Sequence, residues 1–330
     1  MASLCFPVPG LALFSLLTLT AAGADWSQWR GPTRDGRVEG PAWPATLSGD
    51  ALTPVWRVKL GPGYSGPIVS ADAVFVTETQ DKSNEVVRAL DRRTGRELWH
   101  KDMGMPIINA PVVSGGRIFF STHDNHFYAL AENDGRFLWE HQGITESAGI
   151  LASTSAAVSG ETVIAPYTSG EIFALRVQNG QVGWSDVLSR SGHVTALSAL
   201  DTIAGRPVID RGVVYAISQS GLMAAFSVNT GERLWSRDIG GIQTPWAAGD
   251  YVYVVDNNAR LFCLTRKEGK VRWVHQLPQW EDKTNQEDRI NWTGPLLVSD
   301  KLIVVSSNGY MQALSPYTGD LLGRVELDDG

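Results

Sequence analysis

Cysteine is almost missing from this chain. Only Cys5 and Cys263 carry thiols among 330 residues, and Cys5 lies in a leader-like segment. The body of the protein therefore has no second thiol for a disulfide, and its stability must come from packing. Long apolar runs are missing too. The one candidate, residues 11–22, is too short to span a bilayer, so no transmembrane segment is expected. It ends in Ala22-Gly23-Ala24, the small-x-small pattern of an export signal, which predicts cleavage after Ala24 and removal of residues 1–24 as a signal peptide. Cys5 precedes the apolar run and so is not placed as the lipidated cysteine of a bacterial lipoprotein; a lipid anchor is not supported. Positive charge is in short supply as well. A formal net charge of −7 argues against nucleic acid and anionic membrane surfaces as partners.

Catalytic and metal signatures are equally scarce. No Gly-x-Ser-x-Gly, phosphate-binding glycine loop or EF-hand loop occurs. His123 and His126, with Asp124 between them, lack the third and fourth ligands that a metal centre needs. Neither a catalytic residue nor a metal site is expected. No stretch sustains an apolar period of 3.6 residues, which predicts little helix.

What the chain does have is one phrase used six times. Thr94-Gly95-Arg96-Glu97-Leu98-Trp99 returns with variations at Gly135 and Trp139, Gly180 and Trp184, Gly231 and Trp235, Gly269 and Trp273, and finally at Gly319, where Gly323 stands in the tryptophan slot. From glycine to glycine the steps are 40, 45, 51, 38 and 50 residues. Repeats of this length built from short apolar runs indicate a propeller or a solenoid.

The second repeat shows the plan. Val112-Val113, Arg117-Ile118-Phe119-Phe120-Ser121, Phe127-Tyr128-Ala129-Leu130 and Phe137-Leu138-Trp139-Glu140 are four short β-rich runs separated by Gly, Asn and Asp turns. Such a unit is a four-stranded antiparallel meander. The glycine before the last strand supplies a positive φ that a Cβ-bearing residue resists. A small sheet cannot bury both faces alone; arranged radially, each covers the next. The fold class is thus all-β, a β-propeller of six full blades. Trp56, Trp99, Trp139, Trp184, Trp235 and Trp273 are assigned to blade packing, each contributing roughly 2–3 kcal/mol by burial, with the indole N–H bonded to a neighbouring carbonyl. Cys263 falls in a third strand, where a buried thiol is expected.

Val55-Trp56-Arg57-Val58-Lys59-Leu60 reads as a fourth strand with no three strands before it. It is expected to be an orphan N-terminal closing strand, which implies a parent ring of seven or eight blades and a sequence that stops before the final partial blade. Residues 25–54, rich in Gly, Pro and Trp, are expected to form an N-terminal extension lying over a propeller domain of residues 55–330. The long connections, residues 142–152, 187–204 and 277–292, all run from one blade to the next and so share a face with the turns between second and third strands. Binding groups collect on loops of this kind. Residues 279–292 bracket four acids and two bases with Trp280 and Trp292, and Trp and Arg are the usual anchors of protein interfaces. The candidate protein-binding residues are Trp246, Trp280, Arg289 and Trp292.

The Thr-Gly-x-x-Leu-Trp phrase closing a four-stranded repeat resembles the PQQ-like (pyrroloquinoline quinone-like) repeat family over residues 55–327. One branch contains quinoprotein dehydrogenases that use PQQ and calcium; another contains the propeller subunit of the outer-membrane β-barrel assembly machinery. Gly205-Arg206-Pro207-Val208-Ile209-Asp210, Gly240-Gly241-Ile242-Gln243-Thr244-Pro245-Trp246 and Ser306-Ser307-Asn308-Gly309-Tyr310 are similar to the assembly branch, whereas Asp25-Trp26-Ser27-Gln28-Trp29-Arg30-Gly31-Pro32 resembles secreted proteins of the family. The assembly resemblance implies an exported, periplasmic or outer-membrane-associated scaffold without cofactor, a monomer working within a protein complex. The dehydrogenase branch typically has an adjacent cysteine pair beside the cofactor, and this chain has none. PQQ-dependent oxidation, or a secreted propeller binding a carbohydrate or surface protein, stands as the alternative.

Overall fold

The structure, a computed structural model, describes residues 25–28, 30–32, 36, 38, 46, 53–63, 65–81, 83–107, 109–144, 154–189 and 202–327. The expected signal peptide, most of the extension and the centres of two of the three long connections lie outside these residues.

Every regular element among the described residues is a strand. Blade 1 contains β1 (Ile68–Val69), β2 (Ala73–Gln80), β3 (Asn84–Asp91) and β4 (Glu97–Asp102). Blade 2 contains β5 (Val112–Ser114), β6 (Arg117–Ser121), β7 (His126–Ala131) and β8 (Phe137–Gln142). Blade 3 follows with β9 (Ala157–Ser159), β10 (Thr162–Pro166), β11 (Glu171–Arg176) and β12 (Val182–Val187). Blade 4 has β13 (Gly205–Asp210), β14 (Val213–Ile217), β15 (Met223–Ser227) and β16 (Arg233–Arg237). In blade 5 the strands are β17 (Trp246–Ala248), β18 (Tyr251–Val255), β19 (Arg260–Thr265) and β20 (Val271–Gln276). A two-stranded hairpin, β21 (Trp280–Asp282) and β22 (Glu287–Arg289), precedes blade 6, which contains β23 (Trp292–Val298), β24 (Lys301–Ser306), β25 (Tyr310–Leu314) and β26 (Leu321–Glu326). Each blade is a meander in chain order, antiparallel throughout. This is the β-propeller expected from the repeats.

The second and third strands of each blade carry the buried positions, while the fourth strands are mostly exposed and form the circumference. Five apolar clusters each bridge one blade to the next, from Phe75 and Ala89 against Ile118 and Leu130 in blades 1 and 2 to Tyr253 and Cys263 against Leu302 and Val304 in blades 5 and 6. No such cluster joins blade 6 to blade 1 among the described residues.

The repeated tryptophans make the same contact six times. The Trp99 indole donates to the Glu132 carbonyl at 3.0 Å, Trp139 to Val177 at 3.1 Å and Trp184 to Val228 at 2.9 Å. Trp235 donates to Arg266 at 2.9 Å and Trp273 to Pro316 at 3.2 Å. In every case the acceptor lies three residues before the repeat glycine of the following blade. That glycine lies directly under the indole: a Cβ on Gly180 would sit 2.6 Å from the Trp139 ring. Its φ of +71° is a second reason for glycine. Opposite each tryptophan stands a small residue, Ala89, Ala129, Ala174, Ala225 or Cys263, followed at once by a bulge. The bulge bends the outer strand and aims its tryptophan forward.

One expectation needs correction. Residues 55–60 form no strand, and among the described residues no ladder of backbone hydrogen bonds pairs them with a sheet edge. Trp56 nevertheless docks as its counterparts do: it donates to the Arg92 carbonyl at 2.9 Å and covers Gly95. The glycines that follow bring this segment against β2, where the Gly61 N–H donates to Glu78 Oε2 at 2.5 Å and the Thr79 N–H to the Pro62 carbonyl at 2.7 Å. The described residues of the extension touch first strands of the blades. Trp26 exchanges backbone hydrogen bonds of 2.7 and 3.0 Å with Val69 of β1, and Ser27 accepts from Val113 of β5 at 2.8 Å. Arg30 then reaches the far side of the ring, its guanidinium 4.6 Å from the Trp246 ring in β17. First strands have a free edge toward the axis, and an extended segment satisfies part of it.

Candidate functional site

The long-loop face is built most fully between blades 4 and 6. Leu277 leaves β20 buried, its N–H donating to the Ala259 carbonyl at 2.8 Å. Trp280 then pairs with Arg289, and Asp282 with Glu287, across the hairpin. Its turn is held by Asp282, whose carboxylate accepts from the Thr284 N–H at 2.8 Å, the Asn285 N–H at 3.1 Å and the Asn285 side chain at 2.8 Å. An aspartate capping its own turn is the chemistry that makes such loops rigid. These hydrogen bonds, those from Asn285 foremost, hold the Asp282 carboxyl below the usual carboxylate range.

Mounting of the hairpin on blade 5 is equally specific. The Arg289 guanidinium lies 5.8 Å from the Trp280 ring and donates to the Asn257 carbonyl in the β18–β19 turn. Gln279 donates to the Asn258 carbonyl at 2.6 Å, and the Ile290 N–H closes back on the Gln279 carbonyl at 2.8 Å. Below it, Trp292 is 5% exposed and donates to the Pro278 carbonyl at 2.8 Å. Beside the hairpin opens a cleft of about 640 Å³ with Gln219, Asp238, Ile242, Asn257, Arg289 and Asn291 in its walls. Ile242 is 50% exposed there, an apolar contact point among amides and charges.

The four candidate binding residues therefore divide. Half-buried Trp280 and exposed Arg289 form one edge of the face. Trp292 lies beneath them as the hairpin's support. Trp246, 6% exposed, faces the axial channel instead of the loops. The spacing of residues in sequence does not tell a surface tryptophan from a supporting one; both sit beside turns. Asn257 carries no motif, and Ile242, although it lies in the Gly240–Trp246 phrase, is not marked by that phrase as a contact point. Trp56, Trp99, Trp139, Trp184, Trp235 and Trp273 each donate to a carbonyl of the following blade. The pair His123 and His126 is not gathered into a metal cluster: His126 Nδ1 lies 2.9 Å from Asp124, and no group of three His, Cys, Asp or Glu residues converges among the described residues. No described helix is long and apolar enough to cross a membrane.

With this geometry in view, comparison with known proteins is decisive for family. Residues 49–275 match the family model described as outer membrane protein assembly factor BamB. The chain belongs to the BamB family. It is 26% identical to BamB of Moranella endobia (strain PCIT), over 73% of this chain and 60% of that protein, and 25% identical to BamB of Salmonella typhimurium, over 84% and 81%. The chain thus spans about 60% of the length of the first of these relatives. Among solved structures, BamB from Moraxella catarrhalis has the same fold, with a TM-score of 0.70 at 19% identity over 80% of this chain and 76% of that one. A europium-containing methanol dehydrogenase is similar in fold at a TM-score of 0.58 and 13% identity, covering 79% and 70%.

Proposed function

We propose that this BamB-family chain is a non-catalytic scaffold for protein–protein interaction, exported to the periplasm or the outer membrane's inner surface, where it serves the assembly of outer-membrane proteins. The observation that carries the reading is the family match over residues 49–275. Relatives bearing the assembly-factor name fit a propeller that offers a stiff loop face rather than a reaction centre. The hairpin β21–β22 supports the same reading. It presents a Trp–Arg pair, the residue types that most often anchor interfaces, with Arg289 in the wall of a cleft of mixed apolar and amide character. A partner would lay a loop or an extended segment against this edge. It works as a monomer within a larger complex.

The test is site-specific photo-crosslinking in the envelope from Lys283, at the exposed hairpin tip. Crosslinks to the barrel-assembly complex are expected, and joint substitution Trp280→Ala and Arg289→Ala should abolish them while the thermal unfolding midpoint stays unchanged. Undiminished crosslinking by a folded double variant would remove the hairpin from the interface. Normal outer-membrane protein levels in cells lacking the chain would remove the assembly role.

A further inference from the structure

Between the hairpin β21–β22 and blade 6 lies a second pocket, of about 210 Å³. It shares only Ile290 and Trp292 with the larger cleft. Trp280, Trp292 and Tyr310 give it aromatic walls, and Gln312 and Arg324 complete it. The strand register explains this gathering. Gln312 of β25 stands opposite Arg324 of β26, so both side chains leave one face of the sheet, and Tyr310, two residues away, leaves the same face. In blades 2 to 5 the place of Gln312 is taken by Tyr128, Phe173, Ala224 and Phe262. Each of those packs into the apolar cluster against the preceding blade. Blade 6 puts an amide there instead, and Gln312 is not part of the cluster that joins blades 5 and 6.

Gln312 is 4% exposed, and its side-chain amide has no hydrogen-bond partner among the described residues. A buried amide left unpaired costs free energy, and native structures rarely tolerate one without a use for it. Arg324 beside it is held 3.5 Å from the centre of the Tyr310 ring. No carboxylate engages that guanidinium among the described residues, although Glu326 leaves the same face of β26 and Glu281 stands in the pocket wall. Glu281 and Lys283 offset each other at the rim, so Arg324 leaves the wall with one net positive charge. The chain as a whole carries −7. A guanidinium presents a planar fork of N–H donors matched to carboxylate oxygens, and a glutamine amide adds two more donors.

We infer that this pocket receives one acidic side chain, aspartate or glutamate, from a partner segment laid along the hairpin. Its carboxylate accepts from Arg324 and from the Gln312 amide, and its methylenes lie against the aromatic walls. The inference rests on the reading of the hairpin as an interaction edge and adds the chemistry of the partner's anchoring residue. An apolar anchor would leave the Gln312 amide unpaired, and a basic one would meet Arg324 and Lys283. The volume is below the roughly 300–1,000 Å³ of small-molecule sites, which suits a single side chain.

Nuclear magnetic resonance of the full chain tests it, read at the Gln312 side-chain amide and the Trp280 indole N–H. The probes are the capped peptide acetyl-Ala-Ala-Glu-Ala-Ala-amide, its counterpart with glutamine at the centre, and inorganic phosphate. The glutamate peptide should shift both signals saturably, and Arg324→Gln should weaken it about tenfold by removing the charge-assisted pair. The glutamine peptide should shift neither signal. Gln312→Phe, which restores the ring found in blades 3 and 5, should abolish binding at Trp280 and melt no lower than the native chain. Binding of the glutamine peptide within about twofold of the glutamate peptide would overturn the inference. So would equal shifts by phosphate, which would mark a general anion contact. A Gln312→Phe chain that melts several degrees lower would make the amide part of the packing and overturn it too. In the envelope, crosslinks from Lys283 that persist undiminished in Arg324→Gln and Gln312→Phe would remove the acidic anchor and leave the hairpin's interface role standing. Absence of crosslinks from the native chain would count against that role, and the peptide titration would then decide the pocket by itself.

Discussion

Replacing Gly180 by alanine should do far more damage than its position in an exposed turn suggests. The backbone φ there is +71°, which costs an alanine about 1–2 kcal/mol. The added Cβ would stand 2.6 Å from Cε3 of the Trp139 indole, a separation that real contacts do not reach, so the ring must move. Moving it breaks the hydrogen bond to the Val177 carbonyl, worth about 1 kcal/mol. It also exposes part of a side chain now 7% accessible, whose burial is worth roughly 2–3 kcal/mol in full. The total is about 3–4 kcal/mol. Gly116→Ala is the matched control: its φ is +72° and nothing lies within 4 Å of the new atom, so only the backbone cost of about 1–2 kcal/mol applies. In a Trp139→Ala background the collision vanishes, and Gly180→Ala should fall to the control's value, a coupling of roughly 2 kcal/mol. Urea unfolding followed by far-ultraviolet circular dichroism measures the four variants against the native chain. Equal costs for Gly180→Ala and Gly116→Ala, or additivity of the Gly180 and Trp139 changes, would refute the reasoning.

Acid should loosen the segment around Trp56. Burial works to raise the Glu78 carboxyl, but hydrogen bonds from Gln80, Arg88 and the Gly61 backbone outweigh it and hold the group below its ordinary value. A depressed carboxyl stabilises the fold above its unfolded pKa, about 4.3, and that contribution is lost as pH falls through the lower folded value. Thermal midpoints measured from pH 7 down to 2 should therefore fall less steeply for Glu78→Gln than for the native chain; parallel curves would exclude the latch. Burial, partly offset by Arg272 and Tyr253, pushes the Cys263 thiol up to about 11. Thiol reagents at pH 8 should leave it unmodified until denaturant is added, and rapid labelling of the native protein would contradict the packing described for blades 5 and 6. Incubation with PQQ and calcium should produce no dye reduction with alcohols or sugars, whereas quinone-dependent turnover would reverse the functional reading.

Local chemistry in the chain predicts the blades well, because each is a meander of neighbouring strands with its turns written in Gly, Asn and Asp. The six-fold phrase likewise points to the tryptophans as packing residues. It does not reveal why glycine recurs, beyond the turn itself: the indole that covers Gly180 comes from Trp139, in the preceding blade, and that contact exists only once the blades have stacked. Longer separations hide more. Arg30 and Trp246 meet because the ring brings its first strands to a common axis, and no pattern near either residue announces the partner. For the same reason Trp246 and Trp280, both flanked by loop residues, cannot be separated into channel wall and surface edge until the strand register is known. Residues 55–60 read as a strand because their composition matches one, but a strand also needs a neighbour to pair with.

The forward lean of every indole gives the assembly a direction. Blades 1 to 5 each secure the turn of the next, and blade 1 has its own turn secured by Trp56, as interlocking roof tiles do. Removing one tryptophan therefore unfastens the next module along the chain, while the module that loses the residue keeps its own fastening. Injury at a single position spreads toward the C-terminus first, and the platform can fail from one side of a lesion while the other side holds.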